Sequence, residues 1–253
     1  MKATWAGLVG TLVVVLAQVA EGGRPLVIDD AYPVDKGAFE LEAGVGFHRD
    51  GDMDHWDFPI GLTYGLVDRV EVGVGFGWQM EERRHVVDGD ERASSFGDLT
   101  LGVKWQFAEQ ANLWADQALA AVLTLPTSDE DEGFGSGEID FDIMWIASRR
   151  ISDELAVHVN LGYTFVGDPE GEELDDTVHY GIAAEYQIAP RWQVVAEVFA
   201  DTPTSDIDDT VAAINGGVRW EALDSLILDA AIGTTIHGDG PDVFVTVGLT
   251  WGF

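Results

Sequence analysis

In VFVTVGLTWGF, residues 243–253, Val245, Val247, Leu249, Trp251 and Phe253 take alternate positions, and Thr246, Gly248, Thr250 and Gly252 fill the places between. Successive side chains of a β-strand point to opposite faces, so this stretch has one oily face and one small or polar face. The reading repeats upstream. Val72, Val74, Phe76 and Trp78 oppose Glu71, Gly73, Gly75 and Gly77. Leu99, Leu101, Val103, Trp105 and Phe107 oppose Asp98, Thr100, Gly102, Lys104 and Gln106.

Carried along the chain, the pattern predicts twelve strands: 37–48, 54–65, 69–80, 95–107, 115–126, 137–148, 154–166, 176–188, 191–201, 210–221, 226–236 and 242–253. Repeated segments of about ten residues with this alternation mark a membrane β-barrel. In a soluble sandwich or lipocalin the oily face would be the core. Here the other face mixes Gly, Thr and isolated carboxylates, which suits a crowded polar lumen. Aromatics stand near the segment ends: Phe39, Phe47, Trp56, Tyr64, Trp78, Trp105, Phe107, Trp220 and Trp251. That placement predicts two interfacial girdles. The connections alternate as well. Those at 49–53, 81–94, 127–136, 167–175, 202–209 and 237–241 are polar and mostly longer; those at 66–68, 108–114, 149–153, 189–190 and 222–225 are mostly short. Short turns face the periplasm and longer loops face outward, which puts both ends of the barrel domain on the periplasmic side. Arg69, Arg149, Arg150 and Arg191 fall at the short turns, and acidic runs fall at the long loops.

The fold class is therefore all-β: a transmembrane, up-and-down antiparallel β-barrel of about twelve strands. No stretch after residue 20 is apolar enough for a membrane helix. The start, MKATWAGLVGTLVVVLAQVA (1–20), has a basic residue, an apolar run from Leu8 to Leu16 and small residues at Ala17 and Ala20. It reads as a cleaved signal peptide. Residues 21–36, with Pro25 and Pro33 and no alternation, read as a periplasmic segment or a partial plug, with a slight preference for the periplasmic rim. Residues 37–253 form the barrel. The expected location is the bacterial outer membrane.

There are 46 acidic and 13 basic residues, a net charge of −33, and no cysteine. Such a balance repels nucleic acid, and disulfides and thiolate metal sites are excluded.

RPLVIDDAYPVDKGAFELEAG from Arg24, FPIGLTYGLVDRVEVGVGFG from Phe58, FGDLTLGVKWQF from Phe96 and LTLPT from Leu123 resemble, in this order, the meta-pathway phenol-degradation family. The resemblance implies an outer-membrane, transporter-like barrel linked to aromatic-compound catabolism, and brings no catalytic motif.

By alternation Glu40, Glu42, Asp57, Glu71, Asp98, Asp140, Asp142, Glu185, Glu197 and Asp229 point into the lumen, with Lys104, Arg219, His48, His158 and His179. One reading is a structural network in which these carboxylates pair with Lys104 and Arg219. The other is a cation-favouring constriction. A hydrolase needs a nucleophile within reach of a base. His158 and Asn160 share a face, but Ser148 sits near a strand end, so no catalytic set is expected. The acidic loops 129–133 and 168–176 lack the spacing of an EF-hand loop, and the scattered His residues make no zinc pattern. No metal and no cofactor are expected. The expected partners are outer-membrane lipid, a small solute, and the outer-membrane assembly machinery through the C-terminal Phe253. The expected function is passive passage of small solutes, small aromatic or hydrophobic compounds among them; the competing reading is a structural or adhesion barrel with a closed lumen.

Overall fold

The computed structural model describes residues 23–83, 91–129, 134–135, 137–169, 174–204 and 209–253; the expected signal peptide and parts of the acidic loops lie outside them. The strands are β1 (Phe39–Asp50), β2 (Met53–Val67), β3 (Val70–Arg83), β4 (Glu91–Phe96), β5 (Leu99–Ala108), β6 (Asp116–Leu125) and β7 (Asp140–Arg150). They continue as β8 (Leu155–Phe165), β9 (Thr177–Ala189), β10 (Trp192–Asp201), β11 (Val211–Leu223), β12 (Leu226–His237) and β13 (Val243–Gly252).

Each strand pairs antiparallel with its neighbour, and β1 pairs with β13 from Glu40↔Gly252 to Arg49↔Val243. The sheet therefore closes on itself. Closure pairs every strand but β4 on both sides, which satisfies the wall backbone there without water; β4 pairs with β3 alone among the described residues. The strands β4 and β5 lie end to end against β3, through Trp78↔Phe96 and Gly75↔Thr100, and together make one stave. The barrel thus has twelve staves.

Three details differ from the sequence reading. The fourth predicted strand is interrupted at Gly97 and Asp98. The Asp98 carboxylate accepts the Thr127 and Ser128 N–H groups and the Ser128 hydroxyl, which pins the chain after β6 over the break. The first predicted outer loop, 49–53, is a tight turn: Asp50 pairs with Met53, and Gly51 supplies the positive φ of 52° that the turn requires. The third difference lies inside β6 and β7, whose lumen faces carry Ala118, Ala120, Met144 and Ile146, all buried.

The oily faces are exposed on the outside: Leu101, Leu161, Ile182, Val198, Ile214, Ile232 and Val247 among them. The aromatic belts are visible as contacts. Phe39 stacks on Phe253 at 5.6 Å and Trp192 on Trp220 at 5.6 Å at the short-turn end. Phe47 meets Trp56 at 4.7 Å and Trp78 meets Phe96 at 4.9 Å toward the long-loop end.

Leu161 lies near the middle of β8, 51% exposed and facing outward. A charge there would meet the bilayer core. Leu161→Arg is expected to lower stability by about 2–4 kcal/mol, measured by urea unfolding in lipid vesicles. A loss within experimental error would show that this face does not contact lipid.

Candidate functional site: the barrel interior

Residues 24–34 run through the lumen as irregular chain. Backbone of this kind at membrane depth must find its hydrogen bonds in protein or in lumen water. The wall supplies them. Glu197 accepts the N–H groups of Val27 at 2.9 Å and Ile28 at 2.9 Å. Asn160 accepts the Asp29 N–H at 2.7 Å and donates to the Asp29 carbonyl at 2.9 Å, as a neighbouring strand would. Ser148 accepts the Ala31 N–H at 2.8 Å, and Glu71 accepts that of Val34. Asn215 donates to the Pro25 carbonyl at 3.1 Å, and Arg219 donates to the carbonyls of Gly23 and Arg24. The slight preference for the periplasmic rim is thereby corrected: Pro25 and Pro33 break the alternation because this stretch is an insert, not a stave.

Charge is arranged around the same insert. The Lys104 ammonium lies 3.0 Å from Asp29 and 3.1 Å from Glu71, all three side chains at most 5% exposed. Arg24 meets Asp229 at 3.2 Å and donates to the Thr246 hydroxyl at 2.9 Å. Arg219 pairs with Glu185 and donates to Gln193 at 3.0 Å. Glu42 accepts from Thr250 at 3.2 Å. Apolar contacts complete the fit. Ala31 packs on Ala118, Ala120, Met144 and Ile146; Leu26 and Ile28 pack on Ala183 and Val195, with Phe199 alongside.

Glycines clear the path. A methyl group on Gly44 or Gly248 would come within 2.5 Å and 2.2 Å of the Arg24 guanidinium. One on Gly65 would meet the Asp35 carbonyl at 2.1 Å, and one on Gly181 would meet Ile28 at 2.5 Å.

The sequence-derived lumen residues separate into three groups. Glu42, Glu71, Lys104, Glu185, Glu197, Arg219 and Asp229 surround the insert. His179 and Asp142, 2.6 Å apart, and His48 and Asp57, 3.0 Å apart, form imidazole–carboxylate pairs elsewhere in the interior. Asp98 pins the β4–β5 break, Asp140 accepts the Gly167 N–H at the long-loop end, and Glu40 is half-buried beside the short turns. Sequence reasoning missed Arg24 and Asp29, because residues before the first strand carry no face. It also set Ser148 aside for its position near a strand end. Antiparallel register places Ser148 opposite His158, with Oγ 2.8 Å from Nδ1, and His158 Nε2 is 3.6 Å from Glu185. The Ser148 hydroxyl is fully buried beneath Ala31.

A closed twelve-stave barrel with an oily exterior, aromatic belts and a charged interior is a bacterial outer-membrane β-barrel. The chain belongs to the family described as "Putative MetA-pathway of phenol degradation", which matches residues 22–253. No curated protein sequence matches it significantly. Among solved structures it is similar to the COG4313 outer membrane channel from Pseudomonas putida F1, with a TM-score of 0.74 and 14% identity over 88% of this chain and 98% of that one. It is also similar to the CymD monoaromatic hydrocarbon channel (TM-score 0.51, 10% identity, 87% of this chain and 89% of that one). A third is the NanC porin (TM-score 0.59, 8% identity, 83% and 98%). At these identities the likeness establishes the fold.

Lys104→Met leaves Asp29 and Glu71 as buried carboxylates without their cation. Breaking a buried ion pair from one side costs about 3–5 kcal/mol. The variant is expected to unfold correspondingly earlier in urea and to expose residues 24–34 to protease added to the lumen-accessible side. Adding Asp29→Asn and Glu71→Gln should restore most of the stability. Unchanged stability in the single variant would refute the role given to Lys104.

Proposed function

We propose that this barrel is a channel for passive passage of small solutes across the outer membrane, small aromatic or hydrophobic compounds among them, and that residues 24–34 are its plug. The observation that carries the reading is the construction of the insert. It is held by hydrogen bonds, ion pairs and small apolar contacts to many staves, and its one covalent link to the wall is the short stretch 35–38 that leads into β1. The hydrogen bonds among these contacts individually contribute only about 0.5–1.5 kcal/mol net and can be exchanged for bonds to water. The family description and the channels named among the similar structures support the same reading. Passage needs no cofactor and no chemistry.

The carboxylate excess of the interior favours cations and neutral solutes over anions, because like charge in a narrow lumen repels. Outer-membrane lipid is the surrounding partner. Phe253 exchanges backbone hydrogen bonds with Phe39 and leaves its ring exposed at the short-turn end, where assembly machinery working from the periplasm would meet it.

Two other readings rest on specific observations. A closed structural barrel is favoured by the number of insert N–H groups that wall side chains accept, those of Val27, Ile28, Asp29, Ala31 and Val34. A hydrolase is favoured by the Ser148–His158–Glu185 alignment. Burial of the hydroxyl under Ala31 argues against the second, since a nucleophile must reach its substrate.

Deleting residues 24–34 is expected to raise single-channel conductance in planar bilayers several-fold and to speed sugar uptake in liposome swelling. In a salt gradient the reversal potential should report cation preference. An intact barrel and a deleted barrel that both pass no solute would refute the channel; anion preference would refute the assigned selectivity.

A further inference from the structure

The basic residues of the short-turn end are not all alike. Lys36 pairs with Asp68 at 3.9 Å, Arg69 with Glu109, and Arg191 with Asp224 at 2.6 Å. Arg149 and Arg150, which end β7, have no carboxylate partner among the described residues. Alternation separates these two. Arg150 follows the buried Ser148 by two and falls on the lumen side, beside Gln110 and Asp116 at the periplasmic mouth. Arg149 falls on the other face. It stands opposite Val157, just as Trp145 stands opposite the outward-facing Leu161. A guanidinium therefore sits on the lipid side of the wall.

The neighbouring residues fix it there. Arg149 Nη1 donates to the Trp114 carbonyl, and its other N–H groups have no protein acceptor among the described residues. The Trp114 and Trp145 rings lie 6.4 Å apart, inclined at 50°, and Trp145 Nε1 donates to Gln117 at 3.2 Å. Ala147 lies between Trp145 and Arg149 on the same face, yet it is buried, so larger side chains close over it. Leu113 and Trp114 in the turn before β6, and Ile151 in the turn after β7, are exposed.

We propose that Arg149, with Trp114 and Trp145, forms a binding site for the phosphate of an anionic phospholipid in the periplasmic leaflet. The occupant is a lipid because the site lies on the lipid-facing wall at the level of the aromatic belt, where headgroups supply the acceptors. A cation without a partner is costly on this face, and a headgroup phosphate relieves the cost. The guanidinium presents a planar fork that matches two phosphate oxygens. The indole rings pack on the upper acyl chain, as is usual for Trp at an interface. A choline headgroup would add an ammonium that the guanidinium repels, so the net-anionic lipid is preferred. The site follows from the barrel itself and does not depend on whether the lumen conducts.

The test is lipid binding to the detergent-solubilised mature barrel, read by native mass spectrometry during titration with phosphatidylglycerol and, separately, phosphatidylcholine. Phosphatidylglycerol is expected to bind saturably and more tightly than phosphatidylcholine. Arg149→Gln is expected to weaken its binding about ten-fold, through loss of a charge-assisted contact. Arg149→Lys keeps the charge without the fork and should fall between. Arg150→Gln makes the same charge change on the lumen side and should leave the affinity unchanged. Heat-modified electrophoretic mobility confirms that each variant is folded, and either Arg149 variant suffices for the comparison. Equal affinity for the two lipids, no loss in the folded Arg149 variants, or an equal loss in Arg150→Gln overturns the site. Displacement of the lipid by an equal concentration of inorganic phosphate would reveal a site for the free anion and overturns the lipid assignment.

Discussion

Backbone polar groups at membrane depth tolerate no neglect, and this constraint organises the molecule. The wall meets it by closing the sheet. The insert cannot, because Pro25 and Pro33 and its irregular course exclude it from any ladder. Its N–H and C=O groups therefore dictate the identity of wall side chains on distant strands: Glu71 on β3, Ser148 on β7, Asn160 on β8, Glu197 on β10, and Asn215 and Arg219 on β11. Residues scattered through the sequence share one purpose because one short stretch of chain passes before all of them.

The same constraint explains the charges. A lone carboxylate inside the barrel would be costly, and desolvated acids need a cation or several donors. Glu71 has Lys104 and the Val34 N–H; Glu197 has two backbone N–H groups and the Asn215 amide; Asp229 has Arg24. The insert contributes Arg24, Asp29 and its own backbone donors to this balance. Wall and insert are therefore electrostatically complementary, and neither is complete without the other.

The staves were legible in the sequence because a period of two is set by backbone geometry and survives in any strand with one lipid face. The closing segment 243–253 and the stretch 71–78 carry it cleanly. Legibility failed where another force overrode the alternation. In β6 and β7 the inward positions Ala118, Ala120, Met144 and Ile146 are apolar, because they pack on Ala31 rather than on water. At Gly97 and Asp98 the stave breaks under hydrogen bonds from the chain after β6. The candidate interior residues followed from facing alone, yet their partners did not. Facing gives a direction, whereas pairing depends on register: Ser148 meets His158 and Glu71 meets Lys104 only once the strands are aligned.

Glycine shows how far a composition can mislead when its geometry is unknown. In the sequence the inward glycines read only as small residues of a crowded lumen. Placed in the barrel they divide by what they admit. Gly44 and Gly248 face the Arg24 guanidinium, Gly181 faces Ile28, and Gly65 faces the carbonyls of Val34 and Asp35. Gly162 admits the His179 ring and Gly233 the Phe244 ring. The first four shape the bed of the insert, and the last two seat rings of the wall itself. Gly233 yields its space to the Phe244 ring of the adjacent stave, so the same residue type serves both the fit of the insert and the packing of the wall's own side chains.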